Sequence, residues 1–358
     1  MRLSSQLLVL FTFAVATQSC APAQSSDAAS RVLLIYDMEG VTAAVAPRDV
    51  QFGAEGYPAA RESLTEDVNA AARGLLTGGA REVVITDAHA SGNAEPDYLV
   101  DRLPKGARFD VRDAPYDPYI DTVSQGYAAV VAVGMHGRAG GKAFLAHTYF
   151  GHTRWLMAGH DMNESMIVAT SAGRVGVPLI LVTGDDVLQR EIAEVMPTTE
   201  YVVVKQANGV EKADPRPRAD VSAEIEAAAA RAFKNHSSIR PWLPAGLEAP
   251  FDNRFSYVFP EMAAVAVIFP HATGIDNKTI NLKTRDFLEA YLAFRALATF
   301  TAVVRQRMVL TLVGAVDGGP EALAKAQQHF PTRDQRTFEP TGAAIDPSGT
   351  PYGRYGAK

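Results

Sequence analysis

From Arg31 onward the chain alternates short β-branched runs with longer amphipathic stretches. Arg31-Val-Leu-Leu-Ile-Tyr36 is a continuous apolar run, the pattern of a strand covered on both faces. Tyr57 to Leu76 has helical periodicity and stops at Gly78-Gly79. Glu82 to Thr86, Ala128 to Val133, Pro178 to Thr183 and Tyr201 to Val204 read as further strands. Met162 to Val175, Asp186 to Val195 and Val221 to Phe233 read as helices, with Met166, Ile167, Ala169 and Thr170 of the first as core contacts. This alternation predicts an α/β fold: a mostly parallel sheet with helices on both faces, and a site at the carboxyl ends of the strands.

Residues 240–283 are less regular, with several prolines and expected strands at Ala264 to Phe269 and Thr279 to Leu282. They suggest a smaller C-terminal α+β portion. Asp286 to Val304 reads as a closing helix, and Gln306 to Phe330 as a further helical piece. Pro331 to Lys358, rich in Pro, Gly, Thr and Arg, reads as a loosely ordered tail. The resulting division is a leader and linker over 1–30, a main domain over 31–304 and a C-terminal extension over 305–358.

The leader is read from its own pattern. Met1-Arg2 is a short positive start, Leu7 to Ala16 an apolar run of signal-peptide length, and a polar Ser/Ala/Gln stretch follows. The run is shorter than the roughly 20 residues of a membrane-spanning helix. Cys20, the sole cysteine, follows Ser19 in the manner of a lipoprotein signal, although Thr17 stands where such signals carry Leu. The expectation is export to the periplasm, with a membrane tether through a lipidated Cys20 or simple cleavage of the leader. One cysteine forms no internal disulfide.

Composition narrows the class further. Of the residues, 47% are hydrophobic and 21% charged, the balance of a soluble globular enzyme. A formal net charge of −6 without a Lys/Arg run argues against a nucleic-acid partner, which needs a concentrated basic face.

The polar residues at the predicted strand ends carry the chemistry. The first strand runs into Asp37-Met-Glu39-Gly40, with the two carboxylates on one side, where they repel unless a cation joins them. The second ends in Asp87-Ala-His89 and the third in Gly134-Met-His136; His147 lies in Phe144-Leu-Ala-His-Thr-Tyr149, and Glu164 opens a helix after Asp161. Taken singly, each has an ordinary reading: a hydrogen-bonded histidine, a solvated turn, an acid at a helix N-terminus. Taken together they form a mixed nitrogen and oxygen donor set at one sheet edge, suited to Zn²⁺. Asp37, Glu39, His89, His136 and Glu164 are too many donors for one catalytic zinc with an open position, and they suit two metals sharing a carboxylate. Asp185 and Asp186 read as caps of the following helix, or as partners of a ligand histidine.

This ordered set, from Asp37-Met-Glu-Gly40 through Asp87-Ala-His89, Gly134-Met-His136, Ala146-His147 and Asn163-Glu164 to Val182-Thr-Gly-Asp-Asp186, resembles the M55 peptidases, whose best-known members are bacterial D-aminopeptidases. The resemblance runs from about Arg31 to about Val304. It implies a ring-shaped homo-oligomer that hydrolyses the N-terminal residue of short peptides with two zinc ions per subunit. It further implies that Asp37 bridges the metals, that Glu39, His89, His136 and Glu164 complete the ligands, and that His147 is catalytic outside the metal shell. One departure is that Lys205-Gln206 is followed by Ala207-Asn-Gly-Val-Glu211, with no Arg at the place expected of the family. Two rival readings remain open at this point. A two-metal phosphoesterase would need a basic clamp, for which only Arg138 and Lys142 lie close in sequence; a non-catalytic exported binding lipoprotein would carry little metal.

Overall fold

A computed structural model describes residues 30–89, 91–110, 117–120, 123, 126–316 and 318–321. The leader with Cys20 and the tail from residue 322 lie outside the described residues.

The first strand, β1 (Arg31–Tyr36), is central to a seven-stranded sheet. Its neighbours are β2 (Glu82–Asp87) and β4 (Ala129–Val133), both parallel to it. Beyond β2 lies β3 (Ala107–Phe109); beyond β4 lie β7 (Leu179–Asp185), β8 (Glu200–Ala207) and β9 (Ala213–Pro215). Only β9 runs antiparallel. Val32, Leu34 and Tyr36 of β1 face one core, and Leu33 and Ile35 face another. That two-sided burial is why the run is apolar without alternation.

The first core is closed by α1 (Tyr57–Thr77) and α4 (Arg218–Lys234), which pack against each other. The second is closed by α2 (Glu164–Gly173), α3 (Asp186–Val195) and a second sheet. That sheet has the order β11-β12-β10-β5-β6, made of β5 (Thr153–Met157), β6 (His160–Asp161), β10 (Phe251–Tyr257), β11 (Ala272–Gly274) and β12 (Thr279–Thr284), with antiparallel pairings. It is backed by α5 (Pro260–Ala266) and the long α6 (Phe287–Gly314).

Three expectations change here. The smaller α+β portion is not wholly C-terminal, because β5 and β6 come from the middle of the chain and pair with β10. Residues 264–269 are not a strand: Pro260 at the first helical position starts α5, which buries Met262, Ala263 and Ala266. Finally, α6 does not stop at Val304 but continues unbroken to Gly314. Its first half buries one face, from Phe287 to Thr301, while Met308, Leu310 and Leu312 beyond are exposed.

Candidate metal centre

Backbone geometry at the end of β1 creates the site. The strand stops at Tyr36, and Asp37 to Gly40 turn across the end of β4, with Asp37 N donating to Val133 O (2.8 Å) and Gly40 N to Gly134 O (2.7 Å). The approach is so close that a Cβ on Gly40 would lie 1.9 Å from Met135 O. Gly134 itself has φ of 74°, and a Cβ there would lie 2.2 Å from Asp37 O. Glycine is required at both places. Asp37 and Glu39 therefore stand in a turn rather than in the strand, and both carboxylates still reach one point: each lies 3.0 Å from His89 Nδ1.

All six residues singled out in the sequence converge. Asp37, Glu39 and His89 form one group of buried donors, and His136, His147 and Glu164 a second; within each, the donor atoms lie within 4.8 Å of one another. The Asp37 carboxylate touches both groups, with Oδ1 3.0 Å from His89 Nδ1 and Oδ2 3.2 Å from His136 Nε2. His136 Nε2 also lies 3.5 Å from Glu164 Oε1. The His136 and His147 rings stack at 3.8 Å with 6° between planes. His147 Nε2 faces Glu164 Oε1 at 3.9 Å and Glu39 Oε1 at 4.0 Å.

In all three histidines, the nitrogen turned away from the cluster meets a backbone carbonyl. His89 Nε2 lies 3.0 Å from Val50 O, His136 Nδ1 3.1 Å from Gly137 O and His147 Nδ1 2.7 Å from Leu145 O. A carbonyl only accepts, so each of those nitrogens carries the proton and each cluster-facing nitrogen offers a lone pair, the arrangement of metal-ligating histidines. Further polar groups hold the acids. Tyr149 N donates to Glu164 Oε1 (2.7 Å) and the Tyr119 hydroxyl to Glu164 Oε2. Asn163 caps α2, and its amide donates to Glu191 Oε2 (3.0 Å). Asp87 accepts from His89 N (2.7 Å).

The electrostatics call for a cation. Burial disfavours a charged His136, yet Glu164, Asp37 and Glu39 outweigh it and raise the imidazole to about 9. Burial likewise raises Glu164. His136 Nε2 is buried without a hydrogen-bond partner among the described residues. Three carboxylates and three inward imidazole nitrogens, all but His147 buried, are a donor set that divalent zinc fits by charge and ligand type, taking the place of the proton that the carboxylates hold on His136.

Tyr119, Tyr149 and Glu191 had no signal in their local sequence that tied them to this site, because their contacts are set by distant elements; Lys205 stood out only through its resemblance to a family pair. Asp185 is the cap of α3, accepting from Val187 N (2.9 Å) and Leu188 N (2.8 Å), and its other oxygen takes Phe144 N at 2.7 Å. Asp186 accepts instead from Ala207 N (2.8 Å) and pairs with Arg190.

An α/β chain with such a donor cluster beyond its central strands is of the metallohydrolase class. The sequence profile of the M55 peptidases, described as D-aminopeptidase, matches residues 31–296, and the chain belongs to that family. A D-aminopeptidase of Bacillus subtilis (strain 168) is 24% identical over 264 residues, covering 74% of this chain and 94% of the relative. Among solved structures, the "Zn-dependent D-aminopeptidase DppA from Bacillus subtilis, a self-compartmentalizing protease" superposes with a TM-score of 0.66 at 21% identity, over 76% of this chain and 97% of that one. The fold is thus shared across nearly the whole of the relative.

Proposed function

We propose that this chain is a zinc-dependent aminopeptidase that removes the N-terminal residue of short peptides, with preference for D-residues, using two zinc ions per subunit. The position of the Asp37 carboxylate carries the reading, since its two oxygens face two separate donor groups. Asp37, Glu39 and His89 would hold one ion, and Asp37, His136 and Glu164 the other. Bound zinc would supply Lewis acidity toward the scissile carbonyl and a lowered pKa for water.

The remaining chemistry is assigned to His147. Its side chain is 12% exposed, against 5% or less for the other five, so it stands on the side from which substrate arrives. With Nδ1–H held by Leu145 O, its Nε2 accepts a proton from the attacking water and returns it to the leaving amine. His147 Nε2 is also within ligand reach of the second group, and its two roles differ in a measurable way. His147→Ala should retain two zinc per subunit by atomic absorption while kcat falls at least about 100-fold, the usual range for a general acid–base. Loss of one zinc would make His147 a ligand instead.

The phosphoesterase alternative is weakened, because Arg138, one of its two clamp residues beside Lys142, already pairs with Asp161 (2.9 Å) and lies 3.7 Å from Glu191. Hydrolysis of paired D- and L-aminoacyl p-nitroanilides, beside p-nitrophenyl phosphate, by zinc-loaded protein tests the whole reading. Turnover of the phosphate ester alone would overturn it. A homo-oligomeric ring and export, with a tether at Cys20 or cleavage of the leader, complete the proposal; light scattering and lipid labelling of wild type against Cys20→Ala test them.

A further inference from the structure

Lys205 is fully buried near the carboxyl end of β8. It makes no contact with solvent and points into the loop that leaves β1. Its Nζ donates to Glu39 O (2.5 Å), Val41 O (2.9 Å) and Ala44 O (2.6 Å), and lies 4.5 Å from the centroid of the Phe144 ring. Three carbonyls need three N–H groups, so the bonding pattern is that of the ammonium form. No other single side chain can converge three donors from one atom.

The N–H groups of the same loop are held from the other side. Asp67 on α1 accepts from Thr42 N and from the Thr42 hydroxyl, both at 3.0 Å, and Ser63 Oγ accepts from Ala43 N at 3.1 Å. Residues 39–44 have no secondary-structure ladder, so these groups supply the backbone hydrogen bonding that a strand or helix would otherwise provide. Glu39 stands at the junction, its carbonyl on Lys205 and its carboxylate in the donor cluster.

We propose that Lys205 is a positioning residue for the Asp37–Glu39–His89 half of the metal centre. It acts through the backbone of the β1-exit loop rather than by touching metal or substrate. The inference rests on the two-zinc reading and deepens it, because it makes the two halves unequal in what supports them: the His136–Glu164 half shares Asp37 but is otherwise held by Asn163, Glu191 and Tyr149, and Lys205 bonds to none of these.

The test is stepwise zinc binding to full-length protein, measured by competition with a chromophoric chelator. Lys205→Gln, which keeps two N–H donors, should weaken one zinc by about 10- to 100-fold and the other by less than about threefold, the range typical of groups behind the ligands. His89→Ala identifies which zinc is affected, and adding Lys205→Gln to His89→Ala should cause no further loss. Thr42→Val loosens the same loop from its other side and should show the same selectivity at smaller size, which keeps the test open if Lys205→Gln fails to fold. Asp286→Ala, which removes the remote cap of α6, should lower the melting temperature and leave both affinities unchanged. Equal weakening of both zincs, or additive losses in the double variant, would overturn the proposal. A wild type that binds a single zinc would instead refute the two-metal reading, and the coupling between Lys205 and His89 would still be read from that one ion.

Discussion

At the scale of single residues, the site depends on backbone closeness as much as on donors. Gly40 has no room for a methyl group, because the obstruction is the Met135 and Gly134 backbone rather than a flexible side chain. Gly40→Ala must displace the turn that carries Glu39. We expect it to cost roughly 3 kcal/mol or more, at the severe end for a single overpacked position, and to lower zinc content with it. Urea unfolding and metal analysis check both. His147 is held in a segment flanked by positive φ at Leu145 (51°) and Tyr149 (60°), bulky residues that seldom adopt it. Such strain concentrates where a side chain must be aimed. The resemblance of Ala146-His147 to a family motif picked out the residue, and its apolar neighbours lie in a loop; Leu145 turns inward through backbone strain that no periodicity records.

At the scale of elements, capping links the helices to the site. Asp185 ends β7, caps α3 and holds Phe144, three residues before His147. Asp185→Ala would leave a buried N–H and a helix start without acceptors, a loss of about 2–4 kcal/mol from one cap and one buried bond. Activity should fall more than stability predicts, because the His147 loop loses its anchor; melting and kcat measured together separate the two effects.

A second element carries a pH response away from the metal centre. His152, just before β5, is lowered to about 4 by burial and then by Arg305. Its Nε2 is buried without a hydrogen-bond partner among the described residues. A histidine depressed below its unfolded value of about 6.5 binds more protons when unfolded, so its contribution to stability is full above pH 6.5 and is lost as pH falls toward 4. His152→Gln should therefore flatten the fall in melting temperature across that window, and an unchanged profile would refute the assignment. The sequence offered no context for His152, since the pairing of β5 with β10 that buries it joins segments about a hundred residues apart.

At the scale of the whole molecule, the centre is a concentration of buried negative charge joining β1, β2, β4 and α2. A ligand that binds only the folded form stabilises it by mass action, about 2.7 kcal/mol at a hundredfold excess over Kd. Removing zinc by dialysis against a chelator should lower the melting temperature by several degrees, and zinc rather than magnesium should restore it. A melting temperature indifferent to zinc would sink the metal assignment.

The sequence by itself determined the parallel sheet, the order of its helices and all six convergent residues. Those features are written locally, in apolar runs of strand length, in caps, and in polar residues placed where strands end, with His147 marked by its resemblance to a family motif. The tertiary structure alone decided three things. It paired β5 with β10 into a second sheet, because strand partners far apart in the chain leave no periodic trace. It turned residues 264–269 into the end of a short helix and a turn, because burial of Met262, Ala263 and Ala266 overrode strand propensity. It also set Tyr119, Tyr149 and Glu191 behind the donors, since a buried polar group takes its meaning from the partners that folding brings to it.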